Sequence, residues 1–197
     1  MDYTGETEQG DLVICRRNAP LLSLCYELIS DGVKAIVRGR DIGAGLAKIV
    51  KTVSKGIKGE WIDAFADRLD IYGTQQREQI KARYRDEDAA ATAIEGIDDK
   101  LQCVRIVLAR SKARSSVELC NAIDSLFSDK IGAVTLSSVH RAKGLEADRV
   151  VILEHDRLMS TRARQQWQIE QEEHLAYVAY TRAKHDLVLI PAPKREK

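Results

Sequence analysis

Apolar positions along the chain follow two rhythms. Leu12-Val13-Ile14-Cys15 is short and wholly apolar, the pattern of a strand covered on both faces. Behind it, Asn18 is a candidate N-cap, and Pro20 stands at an early helical position where its missing N–H costs little. Leu21, Leu22, Leu24, Cys25, Leu28 and Ile29 then recur at helical spacing until Gly32 stops the helix. A second strand over Lys34–Arg38 completes a strand–helix–strand unit, the building block of a parallel sheet. Asp41 opens a further helix to about Val53.

From roughly Gly59 to Phe127 the sequence is helix-like and highly charged, with one apolar stripe at Trp61, Ile62, Phe65, Ala66 and Leu69. Another stripe runs through Leu101, Val104, Ile106, Val107 and Leu108. Strands return over Ala133–Ser137, Arg149–Leu153 and Asp186–Ile190, with a long helical segment, about Thr161 to Ala183, before the last. The pattern predicts an α/β fold: a mostly parallel sheet with flanking helices over 11–55 and 128–197, interrupted by a helical insertion over 56–127. Residues 1–10 are polar and acidic and read as a disordered leader.

Composition narrows the partners more than the fold. A net charge of +1 gives no whole-molecule field for nucleic acid, so any such contact has to come from a local patch. Cys15, Cys25, Cys103 and Cys120 form no CxxC pair and read as reduced, buried thiols, and no metal-ligating spacing is present. No apolar run approaches the roughly 20 residues of a membrane span, which predicts no membrane partner and a cytoplasmic protein.

Three clusters carry candidate chemistry. Arg16 and Arg17 follow the first strand, where open α/β sheets bind ligands; they read either as a phosphate grip or as solvated loop residues. Ser137 to Glu146 packs hydroxyls, an imidazole, cations, a glycine and a carboxylate into one connection between strands. There, Gly144 lets backbone approach a ligand, Glu146 accepts from a sugar hydroxyl, and Ser138 and His140 donate to a nucleic-acid phosphate; the alternative is a polar turn. In the third cluster, Gln168 to Lys184, the core face of Leu175, Val178 and Ala179 is followed by Arg182 and Lys184, which equally complement a helix dipole.

Taken in order, Cys15–Ala19, Ser138–Glu146 and Leu175–Lys184 resemble motifs IV, V and VI of the UvrD/Rep-family superfamily 1 helicases, the strings H-x-A-K-G-L-E and L-A-Y-V-A-x-T-R-A-K being the specific ones. The resemblance covers about 11–55 and 131–191. It implies a RecA-like second motor domain (a P-loop NTPase-type fold) with 56–127 as a reduced insertion. It also implies an ATP-dependent DNA helicase acting on single-stranded or partly duplex DNA. By the same resemblance Arg16 reaches the γ-phosphate, Gly144 and Glu146 approach the ribose of ATP, and Arg182 is the arginine finger. Ser138 and His140 then face single-stranded DNA.

Neither a GxxxxGK[ST] string nor an apolar strand ending in an acidic pair occurs. ATP with Mg²⁺ is therefore expected at a cleft shared with an N-terminal RecA-like domain of the same protein, and this stretch alone is expected to be inactive. Two other readings stand beside this one: a subunit of a helicase–nuclease complex, and a non-catalytic DNA- or protein-binding module on the same scaffold.

Overall fold

The computed structural model describes residues 7–57, 60–127 and 133–193. Five strands, β1 (Leu12–Cys15), β2 (Ala35–Val37), β3 (Val134–Ser138), β4 (Ala147–Leu153) and β5 (Ala183–Ile190), form one sheet in the order β2-β3-β1-β4-β5. All four pairings are parallel. The helices are α1 (Asn18–Ser30), α2 (Arg40–Val53), α3 (Trp61–Arg83), α4 (Glu87–Ser111), α5 (Ser116–Leu126) and α6 (Gln166–Tyr180). The parallel α/β sheet expected from the hydrophobic pattern is thus the architecture that forms.

The chain divides into two compact units, residues 1–39 with 128–197, and residues 40–127. The helical unit starts earlier than the sequence suggested, because α2 lies within it. Gly43 of α2 lies so close to Phe127 that a Cβ would stand 3.1 Å from the Phe127 Cβ. Asp86 caps α4 by accepting from the Ala89 N–H at 2.7 Å, and Ser115 caps α5 through the Glu118 N–H at 3.2 Å. Within this unit Gly73 admits Leu101: a Cβ on Gly73 would sit 2.8 Å from the Leu101 Cδ1.

In the sheet unit, β1 is wholly buried, as its unbroken apolar run requires. α1 packs along β1, β2 and β3. Its N-cap is Arg17 rather than Asn18, since Asn18 is already helical. All four cysteines are free and buried, Cys15 and Cys25 completely. Of the expected leader, residues 1–6 lie outside the described residues, whereas residues 7–10 are ordered. The Glu8 N–H donates to Asp11 at 2.7 Å, and the Gly10 N–H donates to the Ala133 carbonyl.

β4 and β5 begin earlier than the hydrophobic pattern indicated, at Ala147 and Ala183, which pair with each other. The missed residues of β5, from Ala183 to His185, are mostly polar and exposed because β5 is an edge strand. α6 is shorter than expected at both ends. Residues 161–165 turn before it, and the Gln168 Oε1 accepts from the Arg164 and Gln165 N–H groups at 3.1 Å.

The connection from β3 to β4 positions the site. β1 lies between these two strands, and Ser138 is level with Cys15 while Val150 is level with Leu12. Residues 139–146 must therefore cross β1 and run back toward the amino end of the sheet, a path of about 22 Å at ordinary strand spacing and rise. With one 3₁₀ turn at Val139–Arg141, the link reaches at most about 26 Å. It has about 4 Å to spare. Val139 and Ala142 are buried in one cluster with Leu12 and Ile14 of β1, Val150 and Ile152 of β4, and Ala176 and Ala179 of α6.

Candidate functional site

Because the strands are parallel, every residue that follows a strand lies at one end of the sheet and every residue that precedes one lies at the other. Arg16, Arg38 and Glu154 directly follow β1, β2 and β4, Ser138 ends β3, and His140 lies in the turn just past Ser138. Arg182 directly precedes β5, and Gly144 and Glu146 lead into β4. The candidate residues consequently fall into two groups about 20 Å apart along the strand direction.

At the carboxyl end, Arg16 makes a two-point contact with Glu172 of α6: Nη1 donates to Oε2, and Nη2 donates to Oε1 at 2.9 Å. Nη1 also donates to the Leu158 carbonyl at 2.9 Å. Glu172 accepts further from the Ser160 N–H at 2.8 Å. Both side chains are largely covered, with 23% and 17% exposure, so their charges neutralise each other away from bulk water. Burial alone would raise the Glu172 pKa, but hydrogen bonds from Arg16 and Ser160, with the charges of Arg16 and His140, bring it below the ordinary value.

His140 lies next to this pair. Its pKa is lowered, first by burial of the ring and then by repulsion from Arg16, with Glu172 pulling the other way. The imidazole is therefore neutral at pH 7. Ser138 is only 6% exposed, so of the two strand-facing candidates His140 is the one that reaches solvent. Arg17 in turn grips Glu154 through Nη2, at 2.9 Å and 2.7 Å from its two carboxylate oxygens. Glu154 is buried and holds a left-handed backbone at φ 52, a strained conformation for a residue with a side chain.

At the amino end, Arg182 is fixed by neutral acceptors only. Nε donates to the Val178 carbonyl at 2.9 Å, Nη1 to the Leu145 carbonyl at 3.3 Å and Nη2 to the Thr181 hydroxyl at 3.0 Å. Among the described residues no carboxylate pairs with it. The guanidinium is held in place with its charge uncompensated, against the backbone between Gly144 and Glu146. Gly144 adopts φ +83, which only glycine enters without strain, and there is open space where its Cβ would be. Glu146 is exposed.

Arg182, Gly144 and Glu146 are therefore brought together, as are Arg16 and His140, but Arg16 and Arg182 do not converge on one anion. The expectation of a shared γ-phosphate fails on position, since Arg16 leaves a strand and Arg182 enters one. It fails on charge as well, since Glu172 already satisfies Arg16. Sequence reasoning missed Glu172. The signal was present, because Glu172 shares a helical stripe with the buried Ala176 and Ala179, and a carboxylate on a core-facing stripe calls for a cation. The strained backbone of Glu154 has no such signal.

Residues 114–194 match the model of the UvrD-like helicase C-terminal domain. That segment is similar to the C-terminal domain of UvrD-like helicases. The match spans less than half of the 197 residues; it contains Ser138–Glu146 and Leu175–Lys184 but excludes Arg16. No curated protein matches the chain. The helicase C-terminal domain thus accounts for α5 and for the sheet from β3 to β5, including the link that crosses β1. It places the segment in an ATP-dependent enzyme class. Among the described residues no helix is long and apolar enough to cross a membrane.

Proposed function

We propose that this chain supplies the second motor domain of an ATP-dependent DNA translocase, with nucleotide at the amino end of its sheet and a single DNA strand at the carboxyl end. The observation that carries the reading is the pre-positioned, uncompensated Arg182 guanidinium beside Gly144 and Glu146. A cation held by neutral acceptors suits stabilisation of charge that develops on a transferring phosphoryl group. An arginine already paired with a carboxylate does not suit that task, so Arg16 belongs on the strand side in this reading. Glu146 is the acceptor for a ribose hydroxyl. The β- and γ-phosphates and Mg²⁺ would be held by an N-terminal RecA-like domain that carries the P-loop.

On the strand side, His140 is a neutral hydrogen-bonding group exposed at the carboxyl end of the sheet, suited to contact with a phosphodiester backbone. Ser138 ends the same strand and is the second contact expected from family resemblance. The link over 139–146 joins the two groups covalently, which supports coupling between nucleotide state and grip on DNA.

The test is Arg182→Lys and Arg182→Ala in the intact protein. Loss of a finger lowers the DNA-stimulated ATPase rate by roughly 10³- to 10⁵-fold, with nucleotide affinity changed far less. Turnover within a few-fold of the parent in a folded Arg182→Ala protein would refute the finger assignment.

A further inference from the structure

A guanidinium has five N–H groups and no acceptor, so Arg182 donates every hydrogen bond it makes. Nε donates to the Val178 carbonyl, Nη1 to the Leu145 carbonyl and Nη2 to the Thr181 hydroxyl. Among the described residues, one N–H on each of Nη1 and Nη2 is left over, the fork that grips a phosphoryl group at two points. We infer that Thr181 is the positioning residue of this fork. Its hydroxyl holds Nη2 and so sets the direction in which the two remaining N–H groups point. The inference rests on the reading of Arg182 as a finger and adds a residue that reading did not use.

The hydroxyl accepts because its own proton is committed elsewhere. Thr181 Oγ1 donates to the Tyr177 carbonyl at 2.8 Å and shares that proton with the Val178 carbonyl at 3.3 Å. Both acceptors lie on the last turn of α6, so the proton faces the helix and the lone pairs are left for Nη2. A β-branched side chain that bonds back to its helix in this way has its χ1 fixed by the backbone. The acceptor is therefore as rigid as α6 itself.

The way α6 ends makes these acceptors available. Thr181 is the C-cap, and its N–H donates to Tyr177, whereas the Arg182 N–H turns to the Ala179 carbonyl at 3.4 Å. The Val178 carbonyl, which the Arg182 N–H would take in a continuing helix, is left for Nε of the same residue. Carbonyls at a helix C-terminus carry partial negative charge, so they hold a cation without a formal charge that cancels it.

The three contacts are unequal. The bond to Leu145 is the longest, at 3.3 Å, and its acceptor belongs to the connection between β3 and β4. Nε sits near the pivot of the side chain. Thr181, at 3.0 Å, is the contact that ties the outer end of the guanidinium to α6. Without it the plane can tip about the bond from Nε to Val178 and loses only the long bond to Leu145.

The test compares the parent with Thr181→Val, which keeps size and branching and loses only the hydroxyl, and with Thr181→Ser, which keeps the hydroxyl. In the full 197-residue chain the Nη signals of Arg182 are followed by ¹⁵N NMR at low temperature. The parent and Thr181→Ser are expected to resolve Nη1 from Nη2. In Thr181→Val, rotation about the Cζ–Nε bond should speed up by roughly tenfold and draw the two signals together. In the intact protein, the DNA-stimulated kcat of Thr181→Val should fall by roughly 10- to 100-fold, the scale of a misplaced catalytic group, with KM for ATP within about twofold. Thr181→Ser should stay within about threefold of the parent in both constants.

Parental kcat in Thr181→Val, or Nη signals resolved as in the parent, would overturn the inference; with Arg182→Ala inactive, the finger reading stands. A Thr181→Ser protein as slow as Thr181→Val would also overturn it, because the hydroxyl would not then be the group that matters. A raised KM at parental kcat would assign Thr181 to nucleotide binding instead. Parental turnover in Arg182→Ala would overturn both readings. If Thr181→Val fails to fold, Thr181→Ala carries the same comparison.

Discussion

Arg16 and Glu172 join the carboxyl end of β1 to the second turn of α6 by a two-point guanidinium–carboxylate contact. Each partner is held by more than the other, since Arg16 also donates to Leu158 and Glu172 also accepts from Ser160. Removing the carboxylate charge leaves a largely covered cation with one polar partner fewer. Glu172→Gln is therefore expected to destabilise the protein by about 2 kcal/mol, the scale of a charge-assisted hydrogen bond lost inside a protein. The measurement is the urea midpoint, with an unchanged m-value. Because the folded pKa of Glu172 lies below its ordinary value, its stabilisation is complete above that value and is lost as pH falls through the folded one. The gap between parent and Glu172→Gln should accordingly close in acid, and a gap independent of pH down to 3 would contradict the pairing.

His140 reports on the same pair. Its pKa is depressed by burial and by Arg16 and partly restored by Glu172. Following the imidazole by NMR, Arg16→Gln should move its titration upward and Glu172→Gln downward. Stability should fall as pH drops below the ordinary value of 6.5 toward the lowered folded value, because the unfolded chain takes up that proton first. His140→Gln should remove this part of the pH dependence; an unaltered stability profile between pH 7 and 5 would count against it.

Gly144 tests backbone strain apart from crowding. Its φ of +83 disfavours any side chain, while nothing stands within 4 Å of a built Cβ. Gly144→Ala should cost roughly 1 to 2 kcal/mol, and Gly144→Asn less, because asparagine tolerates the left-handed region. Equal melting temperatures for the Ala and Asn variants would remove this explanation.

Two helical glycines should respond in opposite directions. Gly96 of α4 is exposed with no neighbour at its Cβ position, so Gly96→Ala gains helix propensity and should stabilise by about 0.5 to 1 kcal/mol. At Gly73 the new methyl would stand 2.8 Å from the Cδ1 of Leu101, which is completely buried. Overpacking there costs about 1 to 3 kcal/mol and outweighs the gain in propensity. Urea titration of both variants checks the signs.

Much of this was legible in the chain. The apolar run of β1 announced a doubly covered strand, and the polar stretch between Ser138 and Glu146 announced a connection between two strands. What was misread was position. An arginine placed directly after one parallel strand and another placed directly before a second cannot share an anion beside a sheet this long. The sequence contained that fact for Arg16 and Arg182 once the strands were assigned. The start of β5 was hidden because an exposed edge strand has no buried face to impose alternation on Lys184 and His185. Glu154 could not be found at all, since the Arg17 and Arg157 side chains that pair with it meet it only in the fold.

The scant spare length in residues 139–146 has a mechanical outcome. A cord with little spare length passes large displacements on instead of absorbing them, and this one is clamped midway by Ala142, which α6 and the sheet enclose. If Gly144 moves by more than about 4 Å, the chain cannot take up the change in a bulge. Val139 and Ala142 must slide in their apolar seat, or His140 must shift at the far edge. Lengthening this cord by a glycine or two would let each end relax by itself.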